Sequence, residues 1–276
     1  MKDGDDHIDF DPMSFSFNRN GENVEFDAAI VYIHGDPGEN GKVQAFLEII
    51  GKPYVNSGPL ASELSFDKWF CNQFLRGFDI PVAKSIYLRK GEAIPSADKV
   101  ENKLGFPVFV KPCDSGSSYG IAKVNTVDQL EPAIRAAFNE GDSVVIEGFL
   151  KGTEVTCGVY NTNSGMVALP PTEIVSHTEF FDYEAKYKGL SDEITPALIS
   201  DELTRKVQEM AKKIYQLMQL RSVARIDFMI VDNVPHVIEV NTTPGFSAES
   251  IVPKMIKVDG KTITQVWSDI LDYELH

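Results

Sequence analysis

The sequence predicts an α/β (α+β) fold built from more than one sheet-containing unit. Its 276 residues are 43% apolar and include 17 Phe, which is enough for a sizeable core and for two ordinary domains. Stretches with apolar residues at helical spacing alternate with short apolar runs that end at Gly or Pro. This alternation indicates a mixture of helices and strands in layers.

Three regions are expected along the chain. Residues 1–66 include a buried strand in FDAAIVYIHG and a helix after it, which predicts part of an N-terminal α/β domain. Residues 67–150 and 151–276 predict two further sheet-containing subdomains, and one helix is expected over roughly 60–76. Residues 177–195 are polar and aromatic without a clean period, and a loop of this length is usually a functional lid.

The net charge of −15 argues against nucleic acid or an anionic membrane surface as the partner. Three widely spaced cysteines, Cys71, Cys113 and Cys157, predict a reducing compartment. The acidic N-terminus lacks the apolar core of a signal peptide, so we expect a cytoplasmic protein. Cys113 lies beside a glycine-containing loop and is either a reactive thiol or, as we favour, a buried inert one.

The stretch RIDFMIVDNVPHVIEVN, residues 225–241, predicts a β-hairpin with acids on one face. A three-residue turn over 232–234 places Asp227 directly opposite Glu239. Opposed carboxylates about 5 Å apart destabilise a strand pair unless one holds a proton or a divalent cation lies between them. The pair therefore predicts a Mg²⁺ site, and the alternative is a solvated outer face of the sheet.

The same register adds two polar residues to the acidic face. Arg225 faces Asn241, whose amide oxygen is a third candidate ligand for the cation. On the other face, Phe228 is expected to pair with Ile238. The strand continues into NTTPG, whose tight turn exposes backbone N–H groups beside the proposed metal and favours the metal-site interpretation.

Two further stretches are typical of nucleotide sites. In FVKPCDSGSSYG, Lys111 ends a predicted strand before a Gly/Ser loop, and such loops bind phosphates through backbone N–H groups. A plain β-turn is the alternative, since neither GxxxxGK[ST] nor GxGxxG is present. VVIEGFLKGTE places Glu147 and Glu154 around a link whose backbone can meet an adenine edge, or that is a surface loop. Lys68 in SFDKWF is a solvated helix lysine or a ligand.

Several motifs, taken together and in order, resemble the D-alanine–D-alanine ligases of the ATP-grasp superfamily. They are HGDPGENG, GKPYVNSG, SFDKWF, FPVFVKP with SGSSYG, VIEGFLKGTE, FFDYEAKY, ARIDF and EVNTTPGFSAESIVPK. The resemblance implies the ATP-grasp fold, in which two sheet-containing subdomains clasp ATP after a partial D-alanine-binding domain. It implies ligation of two D-alanines through an acyl phosphate for peptidoglycan synthesis, with ATP and two Mg²⁺ ions (or Mn²⁺), in a homodimer.

The resemblance also implies a role for each matching residue. The catalytic residues would be Arg225 and the Gly245 N–H, as an oxyanion hole, with Ser117 and Tyr187. ATP would be bound by Lys68, Lys111, Ser117, Ser118, Glu147, Leu150, Glu154 and Lys186. D-alanine would be bound by His34, Lys186, Tyr187, Ser250 and the Ile251 N–H. The metal ligands would be Asp227, Glu239 and Asn241.

The chain also departs from the family pattern. Gly148 stands where many members have Lys, and the acidic stretch that follows the family's first strand has no equivalent. We therefore expect a member that lacks the first N-terminal βαβ segment, and two alternatives stay open. One is another ATP-dependent carboxylate–amine ligase, which YEAKY disfavours. The other is a truncated nucleotide-binding protein without catalysis.

Overall fold

The computed structural model describes residues 2–3, 6–7, 9–114, 120–176 and 191–275. In these ranges the helices are α1 (Lys42–Ile49), α2 (Pro59–Phe66), α3 (Lys68–Arg76), α4 (Ala97–Leu104), α5 (Val127–Ala137), α6 (Asp201–Leu217), α7 (Ile251–Val258) and α8 (Ile263–Leu275). The strands are β1 (Lys2–Asp3), β2 (Asp6–His7), β3 (Phe10–Asp11), β4 (Ser16–Arg19), β5 (Glu22–Glu25), β6 (Ala29–Ile30), β7 (Tyr54–Val55), β8 (Ser85–Arg89), β9 (Val108–Pro112), β10 (Ala122–Val124), β11 (Ser143–Gly148), β12 (Thr153–Thr162), β13 (Gly165–Ala168), β14 (Thr172–Ser176), β15 (Ser191–Ile194), β16 (Ala224–Val231) and β17 (Val234–Asn241).

The N-terminal region consists of small sheets. β1 pairs with β2, β3–β4–β5 form an antiparallel sheet, and β6 pairs with β7 in parallel. The buried strand expected in FDAAIVYIHG is therefore short, and its Ile30 is 52% exposed. Behind it, α1 contributes Leu47 to a cluster with Val31 and Tyr54.

A four-stranded antiparallel sheet follows, in the order β10-β9-β11-β8. Its core combines strand residues such as Val110 and Ile146 with Val100 of α4 and Ile134 of α5. α5 begins with a capping box at Thr126, in which the N-cap and third-position side chains satisfy each other's backbone N–H groups.

The second large sheet has the order β15-β14-β12-β16-β17, with β13 paired to β12. Burial alternates along β16, and its inward residues, such as Ile226 and Phe228, pack against Val207 and Ile214 of α6. Because side chains alternate between the faces of a strand, the intervening residues of β16 lie on the opposite face. The candidate site is built on that opposite face.

The helix expected over roughly 60–76 is two helices. α2 ends and α3 begins at Asp67, whose carboxylate accepts a hydrogen bond from Phe70 N at 2.9 Å and caps α3. This break places Lys68 at the first position of α3, and its backbone N–H donates to Cys113 O at 2.9 Å. The cap thus brings Lys68 to the end of β9.

The hairpin expected over 225–241 is present, but its turn and part of its register differ from the prediction. The turn has two residues, Asp232 and Asn233, both with positive φ of 49° and 63°, as a type I′ turn requires. Phe228 pairs with Val237 and not with Ile238, and a bulge separates this pairing from Asp227–Glu239. The expected pairings Asp227–Glu239 and Arg225–Asn241 are confirmed.

Cys71, Cys113 and Cys157 are buried and carry free thiols. The expected burial of Cys113 is confirmed, and burial raises the pKa of its thiol to about 12, which favours the inert interpretation. None of the helices in the described ranges is long and apolar enough to cross a membrane.

Candidate functional site

The site begins with an arginine and an aspartate two residues apart on β16. Arg225 donates from Nε and Nη2 to the two carboxylate oxygens of Asp227, each at 2.9 Å. Both side chains are largely buried, with 13% and 14% exposure. A two-pronged ion pair of this kind is strong because both donors and both acceptors are fixed in one plane.

Both neighbouring strands add a donor to the same carboxylate. From β12, Thr156 donates its hydroxyl to Asp227 Oδ1, and from β17, Asn241 donates its amide nitrogen to Oδ2 at 3.1 Å. Each oxygen of Asp227 therefore accepts two hydrogen bonds, which is the usual capacity of a carboxylate. Asn241 offers its amide oxygen as the remaining ligand atom.

Glu239 completes this face from the position opposite Asp227. Its carboxylate lies 4.0 Å from Arg225 Nη2 and is 31% exposed. Burial lowers the pKa of Arg225, but Asp227, Glu239 and Glu39 raise it by more, so the guanidinium is firmly charged.

The second half of the site comes from the four-stranded sheet. Lys111 Nζ lies 2.7 Å from Glu147 Oε2, and Asn72 Nδ2 donates to Glu147 Oε1 at 2.8 Å. Both members of the ion pair are buried, with 12% and 7% exposure. Burial lowers the pKa of Lys111, but Glu147, Glu239 and Glu154 together raise it by more, so the ammonium stays charged in the interior.

The two halves meet where α3, which begins at Lys68, packs against β17, which carries Glu239. Burial lowers the pKa of Lys68, and the carboxylate of Glu239, on the other sheet, partly offsets this effect. Glu239 and Glu154 also act on Lys111. Two lysines and several carboxylates thus converge between the sheets, in an arrangement that can hold a polyphosphate with a cation.

The loop after β17 carries the next group of predicted residues. Ser250 is the N-cap of α7, so the N–H groups of the first turn, which starts at Ile251, point towards this end of the helix. A Cβ on Gly245 would lie 2.9 Å from Ser250 Oγ, which shows how closely the two residues approach. Ser250 Oγ also accepts from Ser247 N at 3.0 Å. A carboxylate is the natural ligand of such a helix terminus.

His34 lies in a loop that is held by contacts with Glu39. Glu39 Oε2 accepts from Gly35 N at 3.0 Å and lies 3.7 Å from His34 Nδ1. Tyr32, just before this loop, donates its hydroxyl to Pro244 O at 2.6 Å, so the loop borders the site. His34 itself is 59% exposed at its side chain.

The remaining predicted residues are Leu150 and four that the structure does not describe. Leu150 is in the link between β11 and β12, where the backbone of Phe149 is held by a hydrogen bond from its N–H to Pro107 O at 3.3 Å. Ser117, Ser118, Lys186 and Tyr187, with residues 177–190 of the expected lid, lie outside the described residues. Residues 191–194, at the end of that expected loop, form β15.

Four contributors were not predicted from the sequence: Thr156, Asn72, Glu39 and Tyr32. Thr156 shares a strand face with Glu154 by two-residue spacing, and Asn72 follows Lys68 by one helical turn, so periodicity could have suggested both. Glu39 and Tyr32 act across the fold, and no local pattern identifies them.

The donor set fits a hard divalent cation. In the described ranges, no three His, Cys, Asp or Glu side chains gather into a metal site. Two carboxylates and an amide oxygen do lie on one face, and oxygen ligands of this kind suit Mg²⁺ when phosphate and water complete its shell. Because Asp227 already accepts four hydrogen bonds, one of them must be given up before it can ligate a cation.

Residues 74–272 match the family described as D-ala D-ala ligase C-terminus. The D-alanine–D-alanine ligase of Parabacteroides distasonis is 45% identical over 271 residues, which is 98% of this chain and 82% of the relative. That of Bacteroides fragilis is 45% identical over 263 residues, or 95% of this chain and 81% of the relative. The chain belongs to the D-alanine–D-alanine ligase family.

Solved structures of this family agree with the fold. D-alanyl-alanine synthetase A from Vibrio cholerae superposes with a TM-score of 0.85 at 31% identity, covering 97% of this chain and 82% of that one. The VanG D-Ala:D-Ser ligase from Enterococcus faecalis gives 0.86 at 30% identity, covering 96% and 78%. A Bacillus anthracis D-alanine–D-alanine ligase complexed with ATP gives 0.78 at 31% identity, covering 90% and 79%.

These matches confirm the expected fold class. The chain has the ATP-grasp fold of the D-alanine–D-alanine ligases, and the Lys111–Glu147 ion pair and the acidic hairpin face lie on its two large sheets. The predicted domain boundaries at 66–67 and 150–151 stay predictions. The predicted residue roles also stay predictions.

Proposed function

We propose that the protein ligates two D-alanines to D-Ala–D-Ala, with ATP as the phosphoryl donor and Mg²⁺ as the cofactor, for peptidoglycan synthesis. The observation that carries this proposal is the meeting of Lys68 and Lys111 with Asp227, Glu239 and Asn241 between two sheets of a D-alanine–D-alanine ligase fold. A purely structural role does not require two partly buried lysines and opposed acids at this junction.

The reaction has two steps. A carboxylate oxygen of the first D-alanine attacks the γ-phosphorus of ATP, giving an acyl phosphate and ADP. The amine of the second D-alanine then attacks the acyl carbon, phosphate leaves, and the amine loses a proton. The first step needs positive charge around the transferred phosphoryl group, and the second needs donors for the oxyanion of the tetrahedral intermediate.

The first of these requirements, positive charge around the transferred phosphoryl group, would be met by the lysines and a bound cation. Lys68 and Lys111 neutralise the phosphates, while Asp227, Glu239 and Asn241 would hold Mg²⁺, which supplies further charge neutralisation when bound. This assignment explains why Lys111 is kept charged in a buried position by Glu147.

The oxyanion and the second substrate are bound next to each other. Arg225 and the Gly245 N–H would stabilise the oxyanion, and Ser250 with the Ile251 N–H would bind the second carboxylate. The close approach of Gly245 to Ser250 supports this division, because attack requires the two substrates to be adjacent. His34 would line the D-alanine pocket from the loop held by Glu39.

Nucleotide and lid contacts complete the proposal. The backbone of Glu147 and Leu150 would meet adenine, and Glu154 the ribose. Ser117 and Ser118 would act above the phosphates. From the lid, Lys186 would bind ATP and the carboxylate of the second D-alanine, and Tyr187 would bind D-alanine. A cytoplasmic homodimer is part of the proposal, and sedimentation would test the dimer.

ADP release measured with and without D-alanine tests the function. Release that depends on both D-alanine and Mg²⁺, with D-Ala–D-Ala identified as the product, supports the proposal. ATP binding seen by calorimetry without turnover would support a non-catalytic nucleotide-binding protein instead. Turnover with another amino acid, but not with D-alanine, would favour a different carboxylate–amine ligase.

A further inference from the structure

A tyrosine far away in sequence holds the loop that follows β17. The hydroxyl of Tyr32 donates to the carbonyl oxygen of Pro244 at 2.6 Å, across 212 residues of sequence. Pro244 is buried and is followed by Gly245. The contact therefore joins the N-terminal region directly to the loop that carries the proposed oxyanion donor.

Because a peptide group is planar, this contact also affects the direction of the Gly245 N–H. The Pro244 carbonyl and the Gly245 N–H belong to one planar peptide group, and in a trans peptide they point in opposite directions. In the described residues, the cis bonds precede Pro37, Pro107 and Pro196, so this peptide is trans. Fixing the direction of the carbonyl consequently fixes the direction of the N–H.

The tyrosine is itself held firmly. Its ring makes edge contacts with Phe246 at 5.9 Å and Trp267 at 5.8 Å, and those two rings are 5.4 Å apart. Tyr32 thus contacts the loop at two points: its hydroxyl binds the carbonyl of Pro244, and its ring packs against Phe246, which follows Gly245. Because T-shaped pairs have a preferred geometry, the hydroxyl is presented in one direction.

Tyr32 also lies near the charged residues of the site. Burial raises the pKa of Tyr32, and the charge of Arg225 opposes the rise. The phenol therefore remains a protonated donor near neutral pH. Pro244 follows Asn241, the hairpin partner of Arg225, by three residues, so the two proposed oxyanion donors and Tyr32 lie close together.

We infer that Tyr32 is a positioning residue that aims the Gly245 N–H at the oxyanion by holding the other end of the same peptide. The inference rests on the proposed function, which makes the Gly245 N–H an oxyanion donor. The hydrogen bond between Tyr32 and Pro244 does not depend on that proposal. Without the hydroxyl, the peptide plane can rotate between its neighbours. The ring contacts would keep the loop in place while the donor loses its direction.

The test is Tyr32→Phe, which keeps the ring and removes the hydroxyl. We expect kcat to fall roughly three- to tenfold, as loss of one oriented hydrogen bond implies, with the KM for ATP unchanged. Affinity for a phosphinate dipeptide that mimics the tetrahedral intermediate should fall by the same factor. The Gly245 amide signal in the ¹H–¹⁵N spectrum of the ligand-free protein should shift.

Tyr215→Phe is the matched control. Tyr215 is also buried and donates to a backbone carbonyl, that of Ser222, at the same 2.6 Å. It should lower the melting temperature while leaving kcat, phosphinate affinity and the Gly245 signal unchanged. A merely structural role for Tyr32 would give this same pattern in Tyr32→Phe and would overturn the inference.

Two further outcomes separate this inference from the proposed function. A shifted Gly245 signal in a protein that does not turn over D-alanine would leave the positioning intact and overturn the ligase proposal. If Tyr32→Phe does not fold, the carbonyl ¹³C signal of Pro244 in the unsubstituted protein decides the matter. A hydrogen-bonded carbonyl supports the inference, and a free carbonyl overturns it.

Discussion

Arg225 and Asp227 form a two-pronged ion pair in which both hydrogen bonds measure 2.9 Å. The proposed function asks these residues to act apart, Arg225 at the oxyanion and Asp227 at the cation. In the structure each charge satisfies the other. Both charges are buried, and leaving either unpaired would be costly.

The first prediction concerns the charge of Asp227. Asp227→Asn should lower Mg²⁺-dependent turnover roughly a hundredfold or more, because a metal contact contributes several kcal/mol to charge stabilisation. ADP release at several Mg²⁺ concentrations measures this effect. Asp232→Asn, in the exposed turn of the same hairpin, is the control and should behave as the unsubstituted protein. Full activity in Asp227→Asn would remove the metal site.

The second prediction concerns the threonine beside that aspartate. Thr156→Val has nearly the same shape but cannot donate to Asp227, so Mg²⁺ half-saturation should rise about tenfold or more. Thr156→Ser keeps the hydroxyl and should stay near the original value. Calorimetric titration with Mg²⁺ and ATP provides a readout besides turnover. Equal values for the Val and Ser variants would contradict a role for the hydroxyl.

The third prediction concerns pH and the buried Lys111–Glu147 pair. Glu147→Gln should lower stability by about 3 kcal/mol or more at pH 7, because it leaves a buried ammonium unpaired. The pair raises the pKa of Lys111, so its stabilisation is complete below the unfolded lysine pKa of about 10.4 and is lost above it.

Denaturant unfolding at several pH values checks this expectation. The stability difference between Glu147→Gln and the unsubstituted protein should shrink steadily as the pH rises, because without Glu147 less charge opposes the effect of burial and the pKa of Lys111 falls in the variant. It should continue to shrink above about pH 10.4, where the unsubstituted protein loses the stabilisation of the pair. Glu131→Gln breaks an exposed pair with Arg135 and should cost under about 1 kcal/mol. A difference that grows at alkaline pH would show that Lys111 is not the partner responsible.

The fourth prediction concerns the approach of Gly245 to Ser250. In Gly245→Ala the new methyl group would lie 2.9 Å from Ser250 Oγ and push it away. The KM for the second D-alanine should rise roughly tenfold or more, because a hydrogen bond to a charged group contributes about 1.5–3 kcal/mol. Gly77→Ala, at the exposed end of α3 with helical φ, is the control. An unchanged KM would place the second carboxylate elsewhere.

Much of the site could be predicted because strand alternation is local. Two-residue spacing was enough to put Arg225 and Asp227 on one face, and Glu239 and Asn241 opposite them. The turn was wrong because its type depends on φ at Asp232, which the sequence leaves open. A shorter turn and a bulge compensate for each other, so the site register survived the error.

Contacts between distant segments could not be predicted in this way. Glu147 was assigned a backbone role, yet its side chain pairs with Lys111 from a neighbouring strand, which only the sheet order reveals. The break at Asp67 was missed because apolar spacing continues across it, while the cap depends on one carboxylate. The Tyr32 contact spans 212 residues and has no sequence signal.

Burial alternates along β16, so substitutions at even-numbered and odd-numbered positions should have different effects. Even-numbered residues such as Ile226 and Phe228 are fully buried in the core, whereas the odd-numbered Arg225 and Asp227 face the site. Random substitutions at even positions should reduce the amount of folded protein but not the turnover of each folded molecule. Substitutions at Arg225 and Asp227 should reduce specific activity as well, because they remove site chemistry in addition to a buried ion pair. A saturation library of this single strand could therefore be sorted by turnover per folded molecule.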